Sequence, residues 1–231
     1  MNENQYEVLY EDDFLIAVNK PQGIFVHRSK LDTRATVFML QEIRNQIGQK
    51  VYPVHRLDRK TSGVLLFAKN TDTQRKMNSL FLSRSIQKKY LAVVRGYTED
   101  ELTIDYPLKT PEGKIQDACT HFVTLSRVEI PMCSWKFPTS RYSLLEAKPI
   151  TGRMHQIRRH LSHIFHPIIG DRPHGCNKQN KFFLEQFALS DMLLHASEIQ
   201  FIHPETGFPL CITAKKPSEF MRMLDILGFN N

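Results

Sequence analysis

The sequence is compatible with an α+β fold, and three observations bear on it. Apolar runs interrupted by turn residues at 8–18 and 198–213 read as a strand hairpin near each end of the chain. Apolar residues recur at helical spacing at 33–48, 71–81, 154–164 and 217–227. Between the first two of these, Val64-Leu65-Leu66-Phe67-Ala68 is short, β-branched at its start and bounded by Ser-Gly and Lys-Asn, which reads as a buried strand. The pattern fits the class and leaves the order of the strands open.

Taken in order, residues 8–10 and 14–18 flank Glu11-Asp12-Asp13 as a hairpin, and Asn19-Lys20-Pro21-Gln22-Gly23 stops its second strand. Val37, Leu40, Ile43 and Ile47 mark a helix over 33–48 with Gly48 as its stop. After the strand at 64–68, Thr71 or Asp72 caps a helix that turns Met77, Leu80 and Phe81 inward. Tyr90 opens a strand over 90–94, closed by Arg95-Gly96. Residues 97–120 are turn-rich and polar and read as a long excursion. Residues 122–130 and 141–148 alternate as paired strands, joined by a loop holding Trp135. Met154, Ile157, Leu161 and Ile164 form a helical stripe ended by Pro167, and residues 172–181 read as a polar loop. Met192-Leu193-Leu194-His195-Ala196 is a short apolar run suited to the floor of a cleft. Phe220, Leu224 and Leu227 face inward on a closing helix at 217–227.

The 231 residues, 41% hydrophobic and 24% charged, can bury a real core in one or two domains, and no repeat, low-complexity tract or linker divides them. A single domain over 1–231 is the expectation. A net charge of +7 suggests an acidic partner, nucleic acid being the usual one. Cys119, Cys133, Cys176 and Cys211 form no Cys-x-x-Cys pair, which argues against a zinc ribbon or a disulfide framework and fits a reducing cytoplasm. The start of the chain lacks the apolar core of a signal peptide, and no run approaches the length of a membrane helix. A cytoplasmic protein without a membrane is therefore expected.

Chemistry concentrates in two stretches. In Val54-His55-Arg56-Leu57-Asp58-Arg59-Lys60-Thr61-Ser62-Gly63, one carboxylate sits among Arg56, Arg59 and Lys60 and enters the buried strand through a Thr-Ser-Gly turn. Asp58 is then a candidate nucleophile or electrostatic anchor, because covalent catalysis by aspartate needs the anion and neighbouring cations favour it. The bland alternative is a surface ion pair in a turn. In the second stretch, Arg158 lies at the edge of the apolar stripe, where a partly buried guanidinium requires a carboxylate. Arg159, His155 and His163 face the other way, towards solvent or an anion. His155, His160, His163 and His166 invite a metal reading, but they point in different directions and no acid or cysteine stands at ligand spacing. No metal is expected, and these histidines read as solvated or phosphate-facing.

His55-Arg56-Leu57-Asp58 followed by Thr61-Ser62-Gly63, the Lys88-Lys89-Tyr90 strand, and Gly152-Arg153 through His155-Gln156-Ile157-Arg158 together resemble the RluA-type pseudouridine synthases. Asn19-Lys20-Pro21 and Leu194-His195-Ala196 match the same pattern, so the resemblance runs along nearly the whole chain. It implies a central mixed, largely antiparallel sheet with flanking helices and a cleft across it. It also implies isomerisation of uridine in RNA to its C-glycoside, which consumes nothing and takes no cofactor. By resemblance Asp58 is the catalytic carboxylate. Adding to the base, adding to the sugar and promoting a glycal all remain open for it. Arg158 matches the arginine paired with that aspartate, and Tyr90 the ring that stacks on the target base and can take part in proton transfer. Arg56 matches a residue that helps extrude the nucleotide, and Leu194 an apolar pocket wall. Arg153, Arg159 and His155 are candidates for holding phosphates of a flipped nucleotide.

Within that family, Val26-His27-Arg28-Ser29, Gln46-Ile47-Gly48-Gln49, Thr139-Ser140-Arg141-Tyr142, Arg158-Arg159-His160-Leu161 and the loop at 168–180 resemble members that act on tRNA at a T-stem uridine, position 65. The family's frequent N-terminal S4-like domain is expected to be absent, and a monomer is expected. The alternatives are the same reaction on ribosomal RNA, and an RNA-binding protein without catalysis on the same fold. A zinc-dependent deaminase would need His-x-Glu and Pro-Cys-x-x-Cys, which the sequence lacks.

Overall fold

The structure, a computed structural model, describes residues 6–28, 36–134 and 137–229. The chain forms two compact units, Met1–Lys88 with Ala196–Lys215, and Lys89–His195 with Lys216–Asn231. Both contain antiparallel strands with helices packed on them, as an α+β protein should.

In the first unit, β1 (Val8–Glu11) and β2 (Leu15–Lys20) form the expected antiparallel hairpin. Asp12 makes the turn: its Oδ1 accepts the Phe14 and Leu15 amides at 2.8 and 2.6 Å, a local bond that aspartate supplies readily. Strand β4 (Ser62–Ala68) pairs antiparallel with β2, Val18 facing Leu65 and Lys20 facing Gly63. All seven β4 residues are buried. Leu15, Ala17, Val64, Leu66 and Ala68 face one apolar cluster, and the alternate residues Ile16, Val18, Leu65 and Phe67 are buried as well. Burial on both faces explains why the strand reads as a continuous apolar run. Helix α1 (Met39–Ile47) precedes the short strand β3 (Tyr52–Pro53), and α2 (Thr71–Leu82) follows β4. Met77 of α2 lies in the same cluster as Leu66, with Leu80 and Phe81 half-buried against it. From Glu198 onward β11 (Leu194–Ile202) pairs antiparallel with β12 (Pro209–Thr213), the expected second hairpin.

In the second unit, β5 (Gln87–Arg95), β10 (Ser140–Pro149), β9 (Cys119–Ile130) and β6 (Glu101–Asp105) follow one another as antiparallel neighbours. Side chains alternate across this sheet. Val93 and Leu144 face a cluster completed by Phe182 and Phe183 of α4 (Asn177–Phe187) and by Phe220, Met223, Leu224 and Leu227 of α5 (Ser218–Leu227). Ala92, Val94, Leu145 and Ala147 face the other way, towards Ile157 and Leu161 of α3 (Gln156–His163). A two-residue hairpin pair, β7 (Leu108–Lys109) with β8 (Ile115–Gln116), lies between β6 and β9 in the chain.

Several boundaries differ from the sequence reading. The first helix starts at Met39, with Val37 exposed before it, and the expected residues 33–35 lie outside the described residues, as do Ser29 and Trp135. Asn70, one residue earlier than expected, caps α2, its Oδ1 accepting the Thr73 amide at 2.8 Å. Ser62 and Gly63 belong to β4 rather than to a turn. Tyr90 lies inside β5, not at its start, because Gln87, Lys88 and Lys89 continue the strand. The excursion at 97–120 contains β6, β7 and β8, and the polar loop at 172–181 gives way to α4 from Asn177. Met154 lies ahead of α3, which ends at His163, before Pro167.

Candidate active site

Asp58 sits on a turn that a buried lysine holds from below. The turn closes with the Thr61 amide on the Asp58 carbonyl at 3.1 Å. Lys20, the last residue of β2, has no exposed surface, and its Nζ donates to the carbonyls of Pro21, Arg59 and Thr61 at 2.9, 3.2 and 2.8 Å. Three acceptors match the three protons of an ammonium group. Burial nevertheless pulls the Lys20 ammonium down to about 7, with the negative charge of Asp58 working in the opposite direction. A second clamp comes from the segment after β2. The Gly23 amide donates to the Arg59 carbonyl, and Arg59 Nε returns a bond to the Gly23 carbonyl, each at 2.8 Å. The Arg59 guanidinium lies 5.0 Å over the Phe25 ring. The turn is thus held through its carbonyls and through the Arg59 side chain, leaving Asp58 half-buried and Arg56 exposed.

His55, upstream of this turn, completes the β4 ladder where β3 ends. Its Nε2 accepts the Leu66 amide at 3.0 Å, which only a ring nitrogen without a proton can do. Burial, together with the Lys88 charge, pushes the imidazole down to about 4. At the other end of the turn, Gly63 has φ +111°, and a Cβ there would lie 2.0 Å from the Ala196 carbonyl oxygen. Only glycine lets β4 and β11 approach so closely.

In the second unit, α3 carries the expected cationic groups, and the carboxylate that Arg158 requires is Asp171. Arg158 Nε and Nη2 grip Asp171 Oδ2 and Oδ1, each at 2.8 Å, with the two side chains 6% and 1% exposed. This is the bidentate fork of a strong ion pair, in a setting where an unpaired charge would be costly. A guanidinium has five donors, so two bonds to one carboxylate do not exhaust it. The Asp171 carboxylate also receives the His174 amide at 3.2 Å, and His174 Nε2 shares a 2.9 Å bond with His155 Nδ1. Burial, then the adjacent Arg158 charge, holds the His174 imidazole below its ordinary value. Gly175 lets this loop close: a Cβ there would lie 1.8 Å from the Asp171 carbonyl oxygen.

His155 therefore bonds a neighbouring histidine, and it adopts the left-handed conformation, φ 55°, at the start of α3. Arg153 donates Nε to the Asp117 carbonyl at 2.9 Å, and Arg159 is half-buried. His160 is not solvated: it is fully buried between Thr120 Oγ1 and the Tyr106 carbonyl, each at 3.0 Å. His163 is exposed but stacks on Tyr106 at 3.8 Å, and His166 Nδ1 lies 2.8 Å from the Arg95 carbonyl. Tyr90, half-buried, packs against an apolar cluster that includes Leu194, Ala147 and Ile157. Such a wall is suited to the ring of a base. Among the described residues, no group of three or more His, Cys, Asp or Glu is arranged to hold a metal ion, and no helix is long and apolar enough to cross a membrane.

The sequence reading missed Lys20 and Asp171. Lys20 had a signal: on β2 it shares a face with Ile16 and Val18, which the period of two turns inward. Asp171 follows Gly170 in what reads as an ordinary turn, and nothing local connects it with a helix thirteen residues earlier.

A family model described as RNA pseudouridylate synthase matches residues 14–163. Proteins named tRNA pseudouridine synthase C from Vibrio vulnificus (strain CMCP6) and Pasteurella multocida (strain Pm70) are each 45% identical to the chain. The matches cover 95% and 97% of the chain and 94% and 97% of the relatives. The solved human RNA Pseudouridylate Synthase Domain Containing 4 and Domain Containing 1 superpose with a TM-score of 0.74 each, at 24% and 23% identity. They cover 96% and 98% of the chain, and 93% and 90% of their own chains are matched. At that identity the likeness establishes the fold. With a family model across most of its length and relatives alike from end to end, the chain belongs to the RNA pseudouridylate synthases, isomerases that convert uridine in RNA to pseudouridine.

Proposed function

We propose that the RNA is a tRNA and the target the uridine corresponding to position 65 in the T stem. One observation carries this reading: the end-to-end identity with relatives named tRNA pseudouridine synthase C, 45% and 44% for those of Vibrio vulnificus (strain CMCP6) and Vibrio cholerae serotype O1 (strain ATCC 39315 / El Tor Inaba N16961). In the reaction the N1–C1′ bond breaks, the base turns, C5 bonds to C1′, and the C5 proton leaves as N1 gains one. Atoms and electrons balance, so the proposal includes no cofactor and no metal.

Asp58 is the catalytic carboxylate in this reading, and its doubly clamped turn supports it, because a nucleophile or charge stabiliser must be held in place before the substrate arrives. Arg158 steadies Asp58, Tyr90 stacks on the target base, and Leu194 walls the pocket. Arg56 assists extrusion of the nucleotide, while Arg153, His155 and Arg159 serve the phosphates. Residues 1–231 are proposed to act as one catalytic domain, working as a monomer in the cytoplasm.

The test is pseudouridine mapping on an unmodified tRNA transcript and on ribosomal RNA fragments, with parent and Asp58→Asn. The parent should modify the one T-stem position and leave ribosomal fragments untouched, with full activity after EDTA. Asp58→Asn should bind the transcript but form no detectable pseudouridine. Modification of ribosomal RNA alone would refute the substrate, and substantial activity in Asp58→Asn would refute the assignment of the carboxylate.

A further inference from the structure

The second unit holds a cavity of about 760 Å³ that none of the residues assigned above lines. Its walls are the end of β5 at Arg95, the segment leading into β10 at Phe137 and Thr139 to Arg141, and the first turn of α4 at Lys178 and Gln179. The volume is within the range of small-ligand sites, enough for a nucleotide.

Its charge has one sign. Arg95, Arg141 and Lys178 line it, and no acidic residue does among the described residues. Glu129, 3.0 Å from Arg141 Nε, offsets part of one of these charges from outside the lining. The eleven-residue helix α4 begins at the cavity, and Cys176 before it gives no side-chain cap, so no side chain of that residue serves the first helical amides. Those amides and the helix dipole favour an anion. The floor is already ordered: buried Gln179 donates Nε2 to Ser134 Oγ at 2.6 Å and accepts the Tyr142 hydroxyl at 2.9 Å. Phe137, on the wall, leaves 68% of its surface exposed. An exposed aromatic ring beside clustered cations is the composition with which proteins hold unpaired nucleotides, the ring on the base and the cations on the phosphate.

We propose that this cavity is a second RNA subsite, taking one unpaired nucleotide of the substrate away from the target uridine, its phosphate among Arg95, Arg141, Lys178 and the start of α4, and its base on Phe137. The inference rests on the chain acting on RNA. Two of the three walls fall in the segments 139–142 and 168–180 that stand apart from the chemistry motifs, where substrate choice can vary without touching the reaction.

The experiment measures transcript affinity over a salt series, and turnover at saturating RNA, for the parent, Lys178→Glu and Phe137→Ala. Glutamate in the first turn of a helix is favoured, so Lys178→Glu should keep or raise the melting temperature. It should weaken RNA binding by about tenfold and lower the salt slope by about 0.7 to 0.9. Phe137→Ala should weaken binding by roughly 5- to 150-fold, with the salt slope unchanged. Turnover at saturation should stay within about twofold of the parent, because neither residue touches the reacting atoms. Unchanged affinity in both variants would overturn the subsite. So would tight binding of free uridine monophosphate that the variants abolish while RNA affinity stays the same. Running the series on the tRNA transcript and on a ribosomal fragment keeps the readings apart. A parent that modifies only the ribosomal fragment refutes the tRNA substrate, and the subsite is then judged on that RNA.

Discussion

Lys20 is the residue whose burial has the largest consequence for the site, since it joins the end of β2 to the turn that carries Asp58. Its pKa of about 7 in the folded protein, against an ordinary lysine value in the unfolded chain, makes stability depend on pH. From about pH 7 up to the ordinary lysine value near 10.4, the unfolded chain holds a proton that the folded one has lost, so the contribution of this group rises with pH. It is lost again as pH falls back towards 7. Denaturant unfolding from pH 7 to 10 should show that rise in the parent, and Lys20→Met should make it shallower, leaving the part due to Lys88, which burial lowers to about 8; equal slopes would refute the titration. Asp171 is the matching case in the second unit. Asp171→Asn leaves the buried Arg158 guanidinium without its counter-charge, so it should cost about 3–5 kcal/mol of stability by urea unfolding. It should also reduce single-turnover pseudouridine formation. Arg158→Met should cost a similar amount from the other side of the pair, and a variant as stable as the parent would show that the pair contributes little.

At the scale of elements, β4 is held to its register by Gly63. Gly63→Ala adds a Cβ against the Ala196 carbonyl in a backbone conformation already foreign to alanine, so unfolding should move by roughly 3 kcal/mol or more. Gly207 is the control: its φ is also positive, +76°, but nothing lies within 4 Å of an added Cβ. Gly207→Ala should cost only about 1–2 kcal/mol, and equal losses in the two variants would show that conformation alone matters. Elements with strong, one-sided signals were legible, among them the two hairpins, β4, the β9·β10 pair and α5. Strand β6 was not read, although Glu-Leu-Thr-Ile-Asp alternates polar and apolar residues: the run is five residues long, lies among turn residues, and buries only Ile104 on this edge strand. Helix α4 was hidden by Gly, Cys and amide residues at its start; its inward face, Gln179, Phe182, Phe183 and Phe187, has helical spacing but opens on an amide rather than an apolar residue.

For the whole molecule, the charge of +7 predicts a general attraction for phosphates. Transcript affinity should fall linearly on a log–log plot against salt, while turnover at saturating RNA stays flat between 50 and about 200 mM. An affinity insensitive to salt would refute a backbone-driven interaction. A paired T-stem uridine must also be unstacked at a cost of a few kcal/mol, so a transcript with that pair mismatched should be bound or turned over faster than the matched one.

The sequence alone determined the turn bearing Asp58, the burial and carboxylate requirement of Arg158, and the motifs at 55–63, 88–90 and 152–158 that mark the family and, through it, imply the class of fold. These are properties of neighbouring residues: periodicity, turn chemistry, and a charged group set beside an apolar stripe. Only the tertiary structure decided which groups satisfy them. Lys20 meets the Arg59 and Thr61 carbonyls from about forty residues away, and His160 finds its partners at Tyr106 and Thr120. Asp171, rather than a neighbour in sequence, takes the fork of Arg158. The physical reason is that a buried polar group must be satisfied by whatever the packed chain brings within about 3 Å, and that distance is set by the fold rather than by position along the chain.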